Sequence, residues 1–300
     1  MPKLLLTGGT GYIGSKVLEF FQQTNLFEII LVSSNIINIP SVTNVRFNLL
    51  NDDINKLIDE YDPEYLLHLA WDTEHGKFWN SEINILWLNK SIELVKAFYK
   101  KKGKRAVLIG TCAEYDSKFG FCQERVTPLS PSNLYGICKN SLKNISEWVA
   151  SRENKEFVWI RIFHLYGGNE NPNRFIPYVI TKLLNNEIAY CSEGSQIRDF
   201  LNVKDVGEII YLITKSNIIG EINIGSGTPI QIKEIARMIS VILNKSNMIS
   251  FSEKLPDNEP LMLFPDTTRI KNELGWQPRI QLEEGLKESI NYWLTNKSNS

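Results

Sequence analysis

Residues 3–14 decide the fold of this chain, and they read Lys3-Leu4-Leu5-Leu6-Thr7-Gly8-Gly9-Thr10-Gly11-Tyr12-Ile13-Gly14. A short apolar run leads directly into glycines with the spacing GxxGxxG, which is typical of a strand, a turn and the start of a helix. The glycines of such a turn allow a tight bend, close approach of the backbone to a pyrophosphate, and close packing of the helix on the sheet. The amino-terminal end of the helix then faces the phosphates. The segment predicts a dinucleotide-binding site with contacts from Gly8, Gly11, Tyr12, Ile13 and Gly14.

The first half of the chain alternates strand-like and helix-like segments. Residues 28–32, 65–69 and 106–109 are short apolar runs, typical of strands that are buried on both faces of a parallel sheet. Residues 81–101 carry apolar side chains at helical spacing. This alternation predicts an α/β fold with a Rossmann-type doubly wound parallel sheet, which binds its ligand at the carboxyl ends of the strands.

After residues 158–162 the pattern loosens into shorter elements. A strand is predicted at 221–225, a helix at 231–243, and a closing helix around Leu282, Leu286 and Ile290. We expect a smaller C-terminal α/β substrate lobe that covers the cleft. The predicted domains are a dinucleotide-binding unit at 1–165, to which 201–222 returns, a substrate-binding lobe at 166–200 and 223–296, and a tail at 297–300.

The composition limits the classes of function. The chain has 300 residues, of which 43% are hydrophobic, and a formal net charge of −1, which suits a large core and argues against nucleic-acid binding. No apolar run reaches the roughly 20 residues that span a bilayer, and the N-terminus lacks the apolar region of a signal peptide. We therefore expect a cytoplasmic protein with no membrane partner. Its four cysteines form no CxxC pair, and no histidine has a second ligand at metal-like spacing, so no metal is predicted.

Tyr135 and Lys139 lie four residues apart in the sequence. On a helix, that step places both side chains on one face. An ammonium group so close to a phenol favours the phenolate, so we expect Lys139 to lower the pKa of Tyr135 below about 10. A tyrosine tuned in this way exchanges protons near neutral pH. With the glycine turn, the pair predicts redox chemistry on a bound dinucleotide.

The end of the second predicted strand indicates which dinucleotide is bound. Sites that prefer NAD usually carry an acidic residue there for the ribose 2′-hydroxyl. Here Val32 is followed by Ser33 and Ser34, which leave room for a 2′-phosphate and can donate to it. No arginine is immediately adjacent in the sequence. The pattern favours NADP(H), with NAD(H) as the alternative.

Motifs along nearly the whole chain point to one family. They are the glycine turn, His68-Leu69-Ala70-Trp71, Thr111 ahead of Tyr115, the Tyr135/Lys139 pair, residues 161–167, residues 196–206 and residues 274–278. From Lys3 to about Trp293, the chain resembles the extended short-chain dehydrogenases/reductases, in their nucleotide-sugar epimerase, dehydratase and reductase group. The resemblance implies that Thr111 bonds the substrate oxygen, Tyr135 exchanges its proton and Lys139 holds the nicotinamide ribose. It implies further cofactor contacts from Ser33, Ser34, Asn48, Leu49, Leu69, Ala70 and Trp71.

The same resemblance implies the substrate contacts, which are Asn84, Cys112, His164, Arg174, Phe175 and Arg198. Arg198 matches an arginine that binds the substrate pyrophosphate, with a structural ion pair to Asp199 or Asp205 as the alternative. For His164, a buried structural role is an equal alternative. Many relatives have a second arginine where this chain has residues 254–259, which include none, and Arg174 is the candidate substitute.

The residues after Thr111 indicate the reaction. The 4,6-dehydratases of the group carry an acidic pair there, because eliminating water needs an acid and a base, whereas this chain has Cys112 and Ala113. Hydride transfer at a single carbon remains. We favour NAD(P)H-dependent reduction of the C4 ketone of a nucleotide-linked 4-keto-6-deoxyhexose, as in the reductases that make sugars such as CDP-abequose. The alternatives are an NAD-dependent nucleotide-sugar C4-epimerase and a non-catalytic dinucleotide-binding regulator.

The resemblance also implies a homodimer. Helices 81–102 and 132–152 of each subunit are expected to form a four-helix bundle with their counterparts. In the sequence itself, only the apolar faces of these two helices support the expectation.

Overall fold

The computed structural model describes residues 1–35, 37–254 and 259–297. In chain order its strands are β1 (Lys3–Thr7), β2 (Glu28–Ser33), β3 (Thr43–Arg46), β4 (Tyr65–His68), β5 (Arg105–Thr111), β6 (Phe121–Cys122), β7 (Glu156–Ile162), β8 (His164–Tyr166), β9 (Ala189–Cys191), β10 (Ile197–Asn202), β11 (Gly220–Ile224), β12 (Pro229–Gln231), β13 (Ile249–Phe251) and β14 (Met262–Pro265). Its α-helices are α1 (Tyr12–Thr24), α2 (Ile54–Tyr61), α3 (Ile83–Tyr99), α4 (Leu134–Arg152), α5 (Phe175–Leu184), α6 (Val203–Lys215), α7 (Ile232–Ile242), α8 (Thr268–Leu274) and α9 (Leu282–Lys297).

A seven-stranded parallel sheet forms the centre of the molecule. Its order is β11-β7-β5-β4-β1-β2-β3. The strand order reverses between β1 and β4, where connections leave toward opposite faces and open a crevice at the carboxyl edge of the sheet. This architecture confirms the predicted α/β fold.

Both faces of the sheet are covered by helices, which explains its continuous apolar strands. Leu4, Leu5 and Leu6 of β1 are completely buried. On one face, α1 and α6 pack against each other and against the sheet, whereas α2, α3 and α4 pack on the opposite face. Among the described residues, no helix has both the length and the apolar character needed to cross a membrane.

A second, smaller body contains short strands and the helices α5, α7 and α9. Strands β12, β10, β14 and β6 form one small sheet, with β8 also paired to β10, and β9 pairs with β13. The three helices share an apolar core of their own. Because β8 follows β7 closely and β10 leads directly into α6, this body is joined to the large sheet at its carboxyl edge.

The chain crosses between the two bodies more often than the sequence suggests. β6 belongs to the small sheet although it lies within residues 1–165. Ile270 and Trp276 lie in the range that the sequence predicts for the substrate lobe, but they are buried in a core of the large sheet. They are there because α8 packs against β11, the edge strand. Residues 298–300 of the expected tail lie outside the described residues.

Candidate active site

The glycine turn between β1 and α1 brings backbone segments into close contact. Gly8 has a φ of +73°, and a Cβ there would lie 2.5 Å from the amide nitrogen of Ala70. A Cβ on Gly14 would lie 2.0 Å from the carbonyl oxygen of Gly8. Gly11 immediately precedes α1, and the first turn of that helix contains no acidic side chain. The N–H groups of α1 therefore face the crevice at close range, which fits the pyrophosphate of a dinucleotide.

The other predicted cofactor residues follow neighbouring strands at the same edge of the sheet. Thr7 connects β1 to the segment after β4, since its carbonyl accepts the N–H of Leu69 at 3.1 Å and its hydroxyl accepts that of Ala70 at 3.4 Å. Parallel strands end at one edge, so these segments share the crevice. The predicted residues at these strand ends are Ser33, Ser34, Asn48, Leu49, Leu69, Ala70 and Trp71.

Thr111, Tyr135 and Lys139 come together from two elements. Thr111 is the last residue of β5, and the other two lie on α4. The Thr111 side chain acts to lower the pKa of the Tyr135 phenol, and Lys139 Nζ donates to the carbonyl of Ile109 on β5 at 2.8 Å. Each of these three residues is at most 9% exposed. The geometry places two hydroxyls and an amine beside the end of one strand.

Helix α4 lies close to residues 112–114 because one of its residues is a glycine. A Cβ on Gly136 would lie 2.6 Å from the carbonyl oxygen of Ala113. Asn133 starts the helix, since its side-chain oxygen accepts the Gly136 N–H at 2.9 Å. These contacts hold Tyr135 opposite Thr111.

Three aromatic rings surround Tyr135. Ring centroids of Trp71, Phe78 and Trp79 lie 6.3, 4.9 and 5.9 Å from that of Tyr135, all in edge-on arrangements. Phe78 is buried, whereas Trp79 is 44% exposed. The segment 71–79 therefore covers the phenol with an apolar wall that is partly open to solvent.

The electrostatics of Tyr135 and Lys139 differ from the sequence prediction. Lys139 Nζ lies 3.9 Å from the Trp71 ring centroid and 5.9 Å from the Tyr135 ring centroid. Burial raises the pKa of Tyr135 above its usual value and lowers the pKa of Lys139 to about 7. The expected lowering of the phenol pKa was wrong for the protein without cofactor, because the cost of desolvation exceeds the opposing effects of the Thr111 side chain and of Arg174. At neutral pH, Tyr135 is a protonated phenol that can donate.

Glu114 is a site residue that the sequence analysis missed. Its fully buried carboxylate accepts hydrogen bonds from the Thr111 N–H at 2.8 Å, Arg161 Nε at 2.8 Å and Trp159 Nε1 at 3.0 Å. The Thr111 side chain in turn accepts the N–H of Ala113 at 3.2 Å, completing a capping box. The Thr-x-x-Glu spacing was visible in the sequence. Glu114 holds the end of β5 and is already paired, so it is not available as an acid or base for substrate.

His164 and Arg198 lie on the paired strands β8 and β10. His164 Nε2 is buried and has no hydrogen-bond partner among the described residues. Burial and the nearby cations Arg198 and Arg174 lower the pKa of His164 to about 3, so its imidazole is neutral. Burial raises the pKa of the Cys112 thiol to about 11, although Arg198 acts against this. The charge of Arg198 thus acts on both the imidazole and the thiol of the residue after Thr111.

The ion pair of Arg198 differs from the two that the sequence offered. Its Nη2 lies 3.5 Å from Glu259, and its Nη1 donates to the carbonyl of Ile197 at 3.0 Å. Asp199 instead accepts backbone N–H groups from residues 226–228. Asp205 accepts backbone N–H groups from the segment before α9. At 3.5 Å, the contact between Arg198 and Glu259 is a long ion pair.

Arg174 and Phe175 mark the start of α5, and both are half-buried. The charge of Arg174 reaches His164, as the pKa of that imidazole indicates. Its role as a substitute for the second arginine stays a prediction. Residues 255–258, within the segment where that arginine was expected, lie outside the described residues.

Asn84 is placed differently from the sequence prediction, which made it a substrate contact. It is completely buried. Its oxygen accepts the Trp71 Nε1 hydrogen at 2.8 Å, and its nitrogen donates to the carbonyls of Phe78 at 2.6 Å and Ser81 at 2.8 Å. All its hydrogen-bonding atoms are used within the protein, so Asn84 holds the aromatic wall.

The buried histidine at the end of β4 has a structural role. His68 shares hydrogen bonds with the hydroxyls of Thr7 at 2.6 Å and Ser91 at 2.8 Å. Burial lowers its pKa to about 3. Across the described ranges, no group of three His, Cys, Asp or Glu side chains is arranged to hold a metal ion.

Comparison with known proteins agrees with the fold. Residues 4–225 match the NAD dependent epimerase/dehydratase family. CDP-abequose synthase from Salmonella muenchen is 25% identical over 300 residues, which cover 96% of this chain and 97% of that protein. Among solved structures, UDP-N-acetylglucosamine 4-epimerase from Methanobrevibacter ruminantium superposes with a TM-score of 0.87 at 20% identity, covering 98% of this chain and 99% of the other. UDP-glucuronic acid 4-epimerase from Bacillus cereus, in complex with UDP-glucuronic acid and NAD, gives 0.85 at 24% identity, with 98% and 99% covered.

The fold and the Thr-Tyr-Lys group define an extended short-chain dehydrogenase/reductase, an enzyme of oxidoreductase type. The chain belongs to the NAD dependent epimerase/dehydratase family. The predicted resemblance is thereby confirmed.

Proposed function

We propose that this protein reduces the C4 ketone of a nucleotide-linked 4-keto-6-deoxyhexose with NAD(P)H, preferring NADPH. The observation that carries the proposal is the composition of the site around Tyr135. The protonated phenol of Tyr135 is influenced by the Thr111 side chain, and the neighbouring Glu114 carboxylate is already paired with Arg161. The similarity to CDP-abequose synthase over nearly the whole chain also supports a reductase function.

The groups after Thr111 argue against dehydration. Elimination of water needs an additional acid and base at the sugar. Cys112 is a neutral thiol, since burial raises its pKa to about 11, and Ala113 has no polar side chain. Glu114 is paired with Arg161. Reduction of a ketone, by contrast, requires one proton donor.

The proposed chemistry assigns each residue of the group one task. A nicotinamide, when bound, would supply the hydride to C4 of the sugar. As the carbonyl carbon gains hydride, the C=O π electrons move to oxygen, which takes the proton from Tyr135. Thr111 donates a hydrogen bond to the same oxygen. Lys139, with a pKa of about 7, supplies positive charge beside the tyrosinate that remains.

We propose that the diphosphate of the substrate binds at Arg198, with Arg174 as the second cation. Arg198 has the planar fork that suits phosphate oxygens, and its pair with Glu259 is long. His164 Nε2, which is buried and has no hydrogen-bond partner in the part of the chain that the structure describes, is the matching polar contact. Phe175 and Cys112 add apolar contact. The aromatic wall of residues 71–79 would face the sugar ring and the 6-methyl group, which needs no polar partner.

A C4-epimerase remains the second candidate. The same Thr-Tyr-Lys group serves it, and the similar solved structures include two 4-epimerases. A reductase must release its oxidised cofactor after each turnover, whereas an epimerase of this kind retains NAD. The two are therefore distinguished by cofactor turnover.

The deciding experiment follows absorbance at 340 nm with NADPH or NADH and a panel of nucleotide-linked 4-keto-6-deoxyhexoses. Stoichiometric loss of absorbance supports the reductase. Absence of loss, together with NAD that stays with the purified protein, supports the epimerase. Y135F should lower turnover by at least about 100-fold while the cofactor still binds. The matched control is Y178F, since the Tyr178 hydroxyl donates to the carbonyl of Tyr190 at the surface, at 3.2 Å. Y135F with near-normal turnover contradicts the mechanism.

We also propose a homodimer and a cytoplasmic location. Exposed apolar side chains lie on α3, at Ile85 and Leu86, and on α4, at Ile137, Ile145 and Trp148, and the two helices pack side by side. Pairing with a second copy would bury these residues. The four cysteines carry unpaired thiols, which supports a reducing compartment.

A further inference from the structure

An arginine lies beside the end of β2 although the sequence places it thirteen residues away. Strands β2 and β3 are parallel neighbours, and their register pairs Ser33 with Arg46. Paired residues of adjacent strands project their side chains to the same face of a sheet. The Arg46 side chain therefore lies next to Ser33. Ser33 occupies the position at which NAD-preferring sites carry an acidic residue.

The position of Ser33 relative to the glycine turn is also fixed by register. Thr7 of β1 pairs with Val32 of β2, so Ser33 lies alongside Gly8, the first glycine of the turn. A dinucleotide whose pyrophosphate binds at the glycine turn extends its adenosine ribose over the end of β2. The 2′ position of that ribose falls at Ser33.

A small cavity opens between these side chains. It has a volume of about 70 Å³, and its polar lining comes from Ser33, Asn35, Asn44 and Arg46. No acidic residue contributes to it. The amide of Asn44 is held by the backbone of Ile39, to which it donates at 2.9 Å and from which it accepts at 3.2 Å. The cavity is thus a shaped, non-acidic space at the place where a phosphate would extend from the ribose.

Arg46 has its hydrogen-bonding capacity available for a ligand. It is exposed, and within the described ranges no carboxylate or carbonyl accepts from its guanidinium. Its planar fork offers two parallel N–H donors to phosphate oxygens. A 2′-hydroxyl offers no charge for this fork, whereas a 2′-phosphate offers two oxygens and a dianion.

We propose that Arg46, with Ser33, binds the 2′-phosphate of NADP(H) and sets the cofactor preference of this enzyme. The inference rests on the proposed use of a nicotinamide dinucleotide, but not on the identity of the sugar. Arg46 supplies the charge and the fork, and the Ser33 hydroxyl supplies a further donor. The absence of a carboxylate at the end of β2 removes the repulsion that would exclude the phosphate.

The test is a titration of the purified protein, monitored by tryptophan fluorescence, with NADPH, NADH and 2′,5′-ADP, none of which needs a sugar substrate. The variants are R46M, which keeps the aliphatic stem, and R46K, which keeps the charge without the fork. We expect the wild type to bind NADPH at least about tenfold more tightly than NADH. R46M should lose that difference and weaken 2′,5′-ADP by a similar factor, with NADH affinity changed less than twofold, and R46K should fall between them.

Two results overturn the inference. One is a wild type that binds NADH as tightly as NADPH, or binds neither. The other is an R46M variant in which both cofactors weaken equally, since that indicates damage to the sheet rather than loss of a phosphate contact. Failure of the proposed reaction gives a different pattern: the NADPH preference and its dependence on Arg46 remain, but no 4-ketosugar is reduced.

Discussion

Replacing Lys139 with methionine should stabilise the protein without cofactor at low pH and destabilise it at high pH. Lys139 is 4% exposed, and burial lowers its pKa from 10.5 to about 7. In the unfolded chain the same amine keeps its ordinary pKa. Between these two values the unfolded state therefore holds more protons, so the free energy of unfolding of the wild type rises with pH. Below about pH 7 the folded protein bears the full cost of the buried charge.

The magnitude follows from the pKa change. At about 1.4 kcal/mol per pH unit, a fall from 10.5 to about 7 corresponds to a cost of about 5 kcal/mol below pH 7. K139M removes this cost but also loses two contacts of the ammonium, and their loss offsets part of the stability gained. The bond to Ile109 is worth about 1.5–3 kcal/mol, and the contact with Trp71 about 0.5–2 kcal/mol. We expect K139M to be more stable than the wild type by about 1–2 kcal/mol at pH 6, and this advantage to fall by about 3 kcal/mol by pH 9.

A lysine one helical turn away gives the matched control. Lys143 is 7% exposed and is paired with Glu147 at 2.8 Å and Glu221 at 2.6 Å. Although burial acts in the opposite direction, these bonds raise the pKa of Lys143, and the pKa of Glu221 falls to about 2. K143M should destabilise the protein by about 3 kcal/mol, because a partly buried carboxylate loses its partner. The loss should be constant from pH 6 to 9, since both groups stay charged there.

The assay is urea unfolding of both variants and the wild type at pH 6, 7.5 and 9, followed by far-ultraviolet circular dichroism. Equal slopes against urea are required for the free energies to be compared. The reasoning is refuted if K139M is no more stable than the wild type at pH 6. It is refuted equally if the difference between the two does not change with pH.

Two further predictions concern the glycine turn and the buried acid. G14A should unfold at a markedly lower urea concentration than the wild type, because its Cβ would lie 2.0 Å from the Gly8 carbonyl oxygen. The control is G11A, whose Cβ would have its nearest contact at 3.5 Å. G11A should change the free energy of unfolding by less than about 1 kcal/mol. Comparable losses in the two variants would contradict the steric argument. E114Q should cost about 3–5 kcal/mol, because Arg161, 1% exposed, loses its carboxylate; a calorimetric melting temperature within about 2 °C of the wild type would count against that role.

The sequence predicted those features that depend on local spacing. The apolar run of β1, the glycines after it and the four-residue step from Tyr135 to Lys139 fix a strand, a turn and a shared helix face without reference to distant residues. The parallel sheet follows from the alternation of such elements. These predictions did not require knowledge of which strand lies next to which.

The missed features depend on contacts between distant segments. Arg46 is near Ser33 only through the register of β2 and β3, which the spacing of residues along a chain does not specify. The direction of the Tyr135 pKa depends on burial, which the aromatic wall and α4 create together. The role of Asn84 depends on where the loop carbonyls lie. Glu114 differs from these missed residues, because its capping-box spacing from Thr111 could have been recognised in the sequence.

The return of the chain to the large sheet has a consequence for biosynthesis. Strand β11 is the neighbour that completes β7, but a ribosome synthesises it only after residues 163–219. Until then β7 presents an open edge, the kind of surface that pairs with other chains. Arg105, buried at the start of β5, donates hydrogen bonds to the carbonyls of Ile213 and Ile218 at 2.9 and 2.6 Å. It lacks these acceptors until that segment has been synthesised. A fragment that ends after β7 therefore lacks both the edge strand of the large sheet and the acceptors of a buried arginine, so we expect it to pair with other chains rather than to fold alone.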